Sequence, residues 1–245
     1  MNYGLLKEMY DMEGNYWWHR GKRANVLSQI KKFAKGKDLK ILDVGCGTGY
    51  LLKELQNNRE AYGIDISKQS LSFCKKRGLK NLKHWDIEEK PYPQITFNVV
   101  SALDVIEHIK NDTQAMKNIA KSLKKDGIII FATPAFPFLW SYWDELAGHY
   151  RRYDKKTLMK LFEDSGFKVE FINYTNVLIF LPVVAIRIIK QKLGIKELND
   201  NTSDFIKVPK LINEILYLVL RFEAFISSFL SLPFGLSFIV VGRKI

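Results

Sequence analysis

The stretch Lys40-Ile41-Leu42-Asp43-Val44-Gly45-Cys46-Gly47-Thr48-Gly49 decides the fold of this chain. Its apolar first half predicts a buried strand, and glycines at three alternate positions then lead into a helix that begins near Tyr50. A strand that runs into a glycine-rich turn and a helix N-terminus lets a nucleotide-like ligand approach bare backbone in α/β proteins. The dinucleotide fingerprint G-x-G-x-x-G requires a glycine at position 50, which is tyrosine here. The spacing therefore indicates a nucleoside site of another kind.

An acidic residue, Asp43, stands at the predicted strand end, shortly before the three glycines. A pyrophosphate gains nothing from a nearby carboxylate, whereas the ammonium group of a methionine moiety is attracted to one. These residues therefore favour S-adenosylmethionine (SAM). The stretch closely resembles motif I of class I SAM-dependent methyltransferases, which implies a cofactor site with S-adenosylhomocysteine as the product. The contacts so implied are those of Asp43, Gly45, Cys46, Gly47 and Gly49.

The rest of the chain alternates short apolar runs with amphipathic stretches, which is typical of βαβ units and a parallel sheet. We expect strands at 40–44, 61–64, 82–85, 96–102, 127–133, 168–172 and 237–241, and helices at 49–57, 67–77, 111–124 and 155–165. Gly127 follows the fourth of these helices as a C-cap would. The family resemblance implies an α/β, doubly wound, mostly parallel seven-stranded sheet with an antiparallel last strand.

Three parts of the chain are expected. Residues 1–38 form an N-terminal helical lid, made of two helical pieces joined around Gly14 to Gly21. Residues 39–174 and 236–245 form the Rossmann-like SAM-binding domain. Residues 175–235 form an apolar helical insertion between the last two strands, a connection far longer than ordinary hairpin loops.

Composition and charge narrow the class of protein without choosing a function. The chain has 245 residues, enough to bury a core, and a net charge of +12. A basic balance permits nucleic acid, an anionic membrane surface or an acidic substrate as partner, and it also fits a simple surface bias. The two cysteines, Cys46 and Cys74, make neither a disulfide framework nor a zinc site. The first residues lack the pattern of a secretory signal, so we expect a cytoplasmic protein.

Further residues at predicted strand ends are candidates to bind the nucleoside. Asp65 ends the second strand, where a carboxylate can accept hydrogen bonds from both ribose hydroxyls. An acid at this distance is expected for NAD as well, so Asp65 does not choose the cofactor. The family resemblance implies that Asp86 binds the adenine amino group and that the Ile87 backbone meets the ring, with helix capping by Asp86 as the alternative. Ile66 and Leu103 are expected to form apolar walls of the cofactor site.

The segment after the fourth strand, residues 100–109, narrows the acceptor class. Amino-methyltransferases of DNA or peptide glutamine resemble each other in an [Asn/Asp]-Pro-Pro-aromatic motif here, and this chain lacks it. No Pro-Cys pair follows the strand, so a covalent mechanism at cytosine C5 has no nucleophile. These features favour methylation of an oxygen, an amine or a carbanion in a small molecule.

Asp104, Glu107 and His108 lie in this segment and offer oxygen and nitrogen ligands for a divalent metal. The segment resembles some quinone O-methyltransferases that hold a metal in this way. A helix start in which Glu107 and His108 pack beside the cofactor is the commoner arrangement. We therefore predict no resident metal.

A second chemical segment, 143–153, follows the fifth strand, where the carboxyl ends of parallel strands face the ligand crevice. For a hydroxyl acceptor a neutral imidazole is the natural proton acceptor, so His149 is the first catalytic candidate and Tyr150 the second. Arg151 and Arg152 could bind a phosphate or carboxylate of the substrate by bidentate hydrogen bonds. The alternative is that the segment caps the next helix while its arginines pair with surface acids.

Trp17 and Trp18 stand among basic residues in the tract YWWHRGKR, residues 16–23. They are candidate substrate contacts on a lid, and packing on the sheet is the alternative. Two adjacent tryptophans on a helix cannot both face one core, which favours a surface that closes on a ligand.

The insertion contains two apolar segments, 176–189 and 211–232. The first is too short for a membrane span of about 20 residues, and the second would place several charged residues in hydrocarbon. Both are therefore expected to be buried or interfacial helices, and Lys190, Lys192 and Lys196 would suit anionic headgroups. We favour peripheral attachment to the inner face of the membrane, or a tunnel for a lipid-like substrate. A homodimer interface or a cap on the sheet is the alternative.

Residues 40–172 and the last strand, about two thirds of the chain, resemble the type 11 small-molecule group of methyltransferases, which includes quinone O-methyltransferases. Residues 16–23, 148–154 (GHYRRYD) and 233–244 (PFGLSFIVVGRK) also look like a subgroup associated with surface glycans and lipids. The resemblance implies methyl transfer from SAM to a small or lipid-linked acceptor, foremost at a hydroxyl oxygen.

Three other functions remain open. A sugar or metabolite methyltransferase without membrane contact would have the same cofactor site. An RNA methyltransferase is less favoured, because the chain has no appended nucleic-acid module. A non-catalytic SAM-binding protein is disfavoured by the intact glycine motif.

Overall fold

Seven strands form the centre of the protein in a computed structural model that describes residues 3–36, 38–192 and 208–245. The strands follow from the short apolar runs, because central strands of a parallel sheet are buried on both faces. Their bounds are β1 Lys40–Val44, β2 Glu60–Asp65, β3 Leu82–His84, β4 Phe97–Leu103, β5 Leu123–Pro134, β6 Phe167–Thr175 and β7 Ser237–Lys244.

Helices cover both faces of these strands and extend beyond them at the N-terminus and between β6 and β7. Their bounds in the described residues are α1 Tyr3–Met12, α2 Trp17–Phe33, α3 Tyr50–Gln56, α4 Lys68–Lys76, α5 Asp112–Ser122, α6 Tyr142–Ala147, α7 Lys155–Asp164, α8 Phe180–Lys192 and α9 Lys210–Ser227. Side-chain caps set some of the starts: Ser67 accepts the N–H of Ser70 at 3.2 Å before α4, and Asp154 accepts that of Thr157 at 2.7 Å before α7.

The strands form one sheet in the order β3-β2-β1-β4-β5-β7-β6. The first five are parallel, and β7 runs antiparallel to both β5 and β6. One apolar core lies under α5 and α7 and a second under α2, α3 and α4. This confirms the predicted doubly wound, mostly parallel sheet. Strand order reverses between β1 and β4, and sheets of this kind bind ligands at the strand carboxyl ends beside such a reversal.

The role predicted for Gly127 as a helix C-cap is wrong. The helix α5 ends at Ser122 and β5 begins at the next residue, so Gly127 lies inside a strand. The positive φ of this region, 60°, belongs to Asp126. A Cβ on Gly127 would lie 2.9 Å from the carbonyl oxygen of Lys124, so close backbone approach is what requires glycine here.

The two N-terminal helices meet at residues 13–16, a shorter join than the predicted one around Gly14 to Gly21. Gly21 instead lies inside α2, where α2 crosses α9. A Cβ at this position would lie 2.5 Å from Leu220 Cδ1 and 2.8 Å from Leu220 Cβ. The missing side chain therefore allows the two helices to pack closely.

The helices α8 and α9 lie between β6 and β7, where the insertion is predicted. The contacts of α9 are mainly with α2. Arg20 Nη1 lies 2.5 Å from Glu214 Oε1, and the backbone N–H of Trp17 donates to Asn213 Oδ1 at 2.9 Å. The insertion is thereby joined to the N-terminal helices.

Every helix in the described part of the chain is too short or too polar to cross a bilayer. Lys196 lies outside the described residues, and so do the side chains of Lys190 and Lys192. The division into a lid, a SAM-binding domain and an insertion with separate roles stays a prediction.

Candidate active site

The loop from Gly45 to Gly49 turns the chain from β1 into α3 at the carboxyl edge of the sheet. Its glycines have φ values of 65° at Gly45, 55° at Gly47 and 90° at Gly49, which residues with a Cβ rarely adopt. A Cβ on Gly49 would lie 2.8 Å from Cys74 Sγ, and one on Gly45 would collide with Val105. The loop therefore offers backbone at the start of a helix without a covering side chain, as a nucleoside cofactor requires.

Cys46 fastens this loop to the neighbouring strand. Its N–H donates to the Ile64 carbonyl at 3.0 Å, and its buried Sγ lies 3.9 Å from Cys74 Sγ. A Cβ on Gly63 would lie 3.0 Å from the same sulfur. The thiol thus packs between the loop, β2 and α4, which fits the small side chain at this position.

Asp43 lies at the end of β1 and is 3% exposed. Its Oδ1 accepts a hydrogen bond from Ser101 Oγ at 2.7 Å. Burial, with the nearby Asp65 and Glu13 carboxylates, raises the pKa of Asp43 to about 7 despite that hydrogen bond. A cationic ligand group would favour the ionised form, so the residue fits the ammonium group of SAM.

Asp65 ends β2 on the other side of the loop. Its Oδ2 accepts the N–H of Gly47 at 3.0 Å and its Oδ1 accepts the N–H of Ser67 at 2.7 Å. Burial raises the pKa of Asp65, although these two N–H groups oppose the shift. The carboxylate is thereby held over the glycine loop, where the predicted ribose contact requires it.

The other predicted cofactor residues occupy different environments. Asp86 Oδ1 accepts the N–H of Glu88 at 2.8 Å, but residues 87–89 form a turn and not a helix, so this contact is not the helix cap given as the alternative. The Ile87 side chain is buried in the core, Leu103 is half-buried at the end of β4, and Ile66 is 69% exposed beside Asp65. An exposed isoleucine at this edge suits an apolar wall for an adenine ring. The cofactor contacts of these residues stay predictions.

Glu13, in the join between α1 and α2, is a residue of this site that the sequence analysis missed. It is 5% exposed, and its Oε1 accepts hydrogen bonds from Thr48 Oγ1 at 2.5 Å, the Tyr50 N–H at 3.1 Å and Arg77 Nη2 at 2.8 Å. The carboxylate ties the N-terminal segment to the glycine loop and to the start of α3. An acid in an irregular join belongs to no periodic pattern, so no local signal could have indicated it.

Lys22 on α2 forms an ion pair with Asp104, the residue directly after β4. Asp104 has a φ of 52°, which is uncommon for a residue with a Cβ. Lys22 Nζ also lies 5.9 Å from the ring centroid of Trp18, and the half-buried Trp17 and Trp18 meet edge to face at 5.5 Å. The helix α2 therefore reaches across the carboxyl edge of β4. Its Lys22 side chain engages Asp104, one of the candidate metal ligands.

His149 follows α6 and is held by the ionised carboxylate of Asp144, a residue within that helix. Its Nδ1 lies 2.9 Å from Asp144 Oδ1, and the same oxygen accepts from Arg152 Nε at 2.7 Å. Burial alone would raise the pKa of Asp144, but the hydrogen bonds from His149 and Arg152 lower it far below its usual range. An ionised carboxylate accepts a hydrogen bond from Nδ1–H. The proton of the neutral imidazole is therefore on Nδ1, and Nε2 is the nitrogen that can take another proton.

Glu107, His108 and His149 come together from two separate segments, and one ligand atom of each lies within 4.8 Å of the others. The two imidazole rings have their centroids 4.5 Å apart at an angle of 75°. Glu107 is fully buried and its Oε2 accepts from Thr133 Oγ1 at 3.1 Å. Burial raises the pKa of Glu107 and lowers that of His108. The structure thus places His149, rather than Asp104, with the candidate metal ligands Glu107 and His108.

The arginines predicted to bind substrate are paired within the protein. Arg151 Nη1 lies 2.7 Å from Asp112, and Arg152 holds Asp144. Both arginines thus pair with acids of the protein, as in the alternative, although the partner of Arg152 is the buried Asp144 and not a surface acid. Tyr150, the second catalytic candidate, is 57% exposed. The roles of these three residues toward a substrate, like those of Trp17 and Trp18, stay predictions.

A family described as a methyltransferase domain matches residues 17–171, from the start of α2 into β6. An uncharacterised protein of Methanocaldococcus jannaschii is 31% identical over 156 residues, which cover 63% of this chain and 65% of that protein. A probable S-adenosylmethionine-dependent methyltransferase of Mycolicibacterium smegmatis is 27% identical over 164 residues, which cover 64% of this chain and 62% of that protein. The chain therefore spans just under two thirds of the length of both relatives.

A ubiquinone biosynthesis O-methyltransferase of Idiomarina loihiensis is 34% identical over 101 residues, which cover 38% of this chain and 42% of that enzyme. Among solved structures, a Haloferax volcanii methyltransferase in complex with the Trm112 methyltransferase activator superposes with a TM-score of 0.63. It is 18% identical and covers 98% of this chain and 94% of its own, so this likeness shows the fold alone. Because the family match spans more than half of the chain and includes the glycine loop with Asp43, the chain belongs to the class I SAM-dependent methyltransferases, whose cofactor is SAM.

Proposed function

We propose that this protein transfers a methyl group from SAM to a hydroxyl oxygen of a small acceptor, with the Asp144–His149 pair as proton acceptor. The bound cofactor supplies an electrophilic methyl group on a sulfonium. The observation that carries the proposal is the 2.9 Å contact of His149 Nδ1 with the ionised Asp144, which leaves Nε2 as a base. Glu107, from the turn that follows β4, lies beside that imidazole, so the base belongs to the ligand edge of the sheet.

The proton and the bonds balance in this reaction. His149 Nε2 takes the hydroxyl proton as the acceptor oxygen bonds to the methyl carbon. The carbon–sulfur bond breaks, and its electron pair stays on the sulfur of S-adenosylhomocysteine. Asp144, held in turn by Arg152, stabilises the imidazolium until its proton passes to water.

Two observations support oxygen in a small molecule as the acceptor. Trp17, Trp18 and the Lys22–Asp104 ion pair bring the N-terminal helix over the carboxyl edge of β4, which suits a small enclosed ligand. The partial likeness to the ubiquinone biosynthesis O-methyltransferase supports oxygen as the atom that is methylated. Both bear on the class of acceptor and leave its structure open.

We also infer that the acceptor is lipid-linked and is presented at an anionic membrane surface. Thirteen of the twenty large hydrophobic side chains that are exposed in the described residues fall between residues 178 and 230. Along α9 the exposed apolar positions recur every three or four residues, which makes one apolar face of the helix. They are Leu211, Ile215, Leu218, Phe222 and Phe225, and the exposed Phe229 lies two residues beyond the end of the helix.

The charges around this apolar face match an anionic partner. Glu214 pairs with Arg20, and the buried Glu223 accepts backbone N–H groups that precede α8. Lys210 and Arg221, by contrast, are exposed. A helix with an apolar face and exposed cations, whose two acids are engaged by other groups of the protein, suits anionic headgroups. The net charge of +12 opposes close approach of a second copy, so we place a membrane surface rather than a homodimer here.

Transfer of a radiolabelled methyl group tests both parts of the proposal. The protein is incubated with labelled SAM and either the lipid extract or the aqueous metabolite extract of the cells that naturally produce it. We expect label in the lipid fraction, in a bond that resists the acid and base treatments that hydrolyse esters. Label only in the aqueous fraction would overturn the lipid-linked acceptor and leave methyl transfer standing. Label on nitrogen or carbon would overturn the hydroxyl acceptor.

A further inference from the structure

The cluster of Glu107, His108 and His149 has a feature that proton transfer by His149 does not use. Glu107 Oε2 accepts from Thr133 Oγ1, but Glu107 Oε1 has no hydrogen-bond partner among the described residues. The carboxylate is 0% exposed, so water does not compensate for the missing donor. A buried carboxylate oxygen without a donor is costly and is normally satisfied by a cation or a proton.

The two histidines are arranged so that nitrogen atoms accompany this oxygen. One ligand atom from each of Glu107, His108 and His149 lies within 4.8 Å of the other two. Asp144 Oδ1 accepts a hydrogen bond from His149 Nδ1–H at 2.9 Å, which leaves Nε2 as the atom that can ligate a metal. A carboxylate that accepts the outer proton of a histidine is the usual support of a metal-ligating imidazole, because it fixes the ring and its tautomer.

The backbone joins the two segments that supply the cluster. The N–H of Tyr150 donates to the Glu107 carbonyl at 2.7 Å, so the residue after His149 is anchored to the turn that follows β4. Arg152 Nε, at 2.7 Å from Asp144, holds the supporting carboxylate in turn. The donor atoms are therefore preorganised by contacts that do not depend on a ligand.

We propose that Glu107, His108 and His149 bind a divalent first-row cation, with Asp144 as the outer carboxylate. Two imidazoles and one carboxylate suit Mn²⁺, Fe²⁺, Co²⁺ or Zn²⁺ better than the all-oxygen cations Mg²⁺ and Ca²⁺. Three protein ligands leave coordination positions open for an acceptor oxygen. Asp104 is not a ligand, because Lys22 engages it. His149 thus replaces Asp104 in the ligand set considered from the sequence.

This inference rests on the proposed methyl transfer to a hydroxyl. A cation held there would lower the pKa of a hydroxyl group that coordinates it, and the acceptor proton would pass to water before the carbon–oxygen bond forms. His149 would then ligate the cation through the same Nε2 atom, so methyl transfer with and without chelator decides between this role and that of proton acceptor. The oxygen that attacks, the bond that breaks and the products are unchanged.

Titration of chelator-treated protein with Co²⁺ tests the site directly. We expect one equivalent to bind in calorimetry, with a visible absorption band that reports imidazole ligation. Glu107→Gln, His108→Ala and His149→Ala should each abolish the band. Asp144→Asn should weaken binding about 10- to 100-fold, as outer-sphere changes do. His84→Ala, which removes an exposed histidine elsewhere, and Asp104→Asn should leave the affinity unchanged.

Two results would overturn the metal site. One is the absence of stoichiometric binding to folded protein, with folding checked by circular dichroism. The other is a Co²⁺ band that survives both Glu107→Gln and His149→Ala. The methyl-transfer assay with and without chelator separates the two proposals. Chelator-insensitive transfer that His149→Ala removes would reject the metal and keep the function. Stoichiometric Co²⁺ binding without methyl transfer to any hydroxyl would keep the metal and reject the function.

Discussion

The carboxylate of Asp43 is in an unfavourable state when no cation is beside it. It is buried at the end of β1 and lies near two further carboxylates, Asp65 and Glu13, so its pKa is raised to about 7. An ammonium group bound next to it would favour the ionised form. Ionisation of Asp43 and binding of the cofactor are therefore linked.

The linkage predicts how cofactor affinity depends on pH. The free protein binds a proton at Asp43 below about pH 7, and the complex with S-adenosylhomocysteine does not, so protons compete with the ligand. We expect the affinity to rise by up to about tenfold per pH unit below pH 7 and to level off above it. Calorimetry across this range measures the dependence. Asp43→Asn should bind more weakly with a flat profile, and a flat profile in the wild type would contradict the linkage.

The sequence predicts site residues well where they lie beside the motif and poorly where the fold supplies them from a distance. Asp43 and the three glycines follow from one strand and one turn. Glu13 and Lys22 reach the same site from the segment that precedes the sheet, and their contacts with Thr48 and Asp104 depend on packing alone. For the same reason, the sequence does not place His149 beside Glu107.

At the scale of elements, the crossing of α2 and α9 joins the insertion to the rest of the protein. Gly21 lies at this crossing against Leu220. Arg20 and Trp17, on the same helix, contact Glu214 and Asn213. The helix α2 therefore lies between the carboxyl edge of β4, which it contacts through the Lys22–Asp104 ion pair, and the apolar insertion.

The substitution Gly21→Ala tests this crossing through the sign of its effect. In an exposed helix interior the change stabilises a protein by about 0.5–1 kcal/mol. Here a Cβ would lie 2.5 Å from Leu220 Cδ1, so we expect a loss of about 1–3 kcal/mol in the free energy of unfolding, measured in urea. Leu220→Ala should remove most of the added cost in a double-mutant cycle. Ser28→Ala, on the exposed face, is the control, and stabilisation by Gly21→Ala would contradict the packing.

The strands follow from the sequence because a parallel sheet buries whole runs of residues. Their ends do not follow so well. The strand β5 begins at Leu123 because backbone pairing with Phe97 extends it past a charged stretch that no apolar pattern marks. The position of Gly127 shows the same limit. A glycine after a predicted helix suggests a C-cap, whereas close approach of the Lys124 carbonyl is what requires glycine here.

At the scale of the whole molecule, the exposed apolar face of α9 and the candidate active site are connected through α2. If the apolar face of α9 binds a membrane, the helix α2 and the entrance of the candidate active site would lie near the lipid headgroups. The exposed Lys210 and Arg221 supply charge of the matching sign. A lipid-linked acceptor could then reach the site without leaving the bilayer.

Cosedimentation with vesicles tests this orientation. We expect binding to vesicles that contain phosphatidylglycerol, weaker binding to pure phosphatidylcholine, and a decrease with added salt because exposed charges are screened. Leu218→Ser with Phe222→Ser should abolish binding, since each removes about 1.5–3 kcal/mol of apolar burial. Met159→Ser, at another exposed apolar position on α7, is the control. Equal binding by the double variant and the wild type would contradict a membrane role for α9.

Methyl transfer by His149→Ala, with the affinity for S-adenosylhomocysteine measured on the same protein, tests the central claim most directly. The imidazole acts on the acceptor, as proton acceptor or as metal ligand, and not on the cofactor. We therefore predict unchanged affinity with a fall in transfer of about 100- to 10,000-fold, the usual contribution of a positioned acid–base group. Transfer near the wild-type rate in folded His149→Ala would contradict the account.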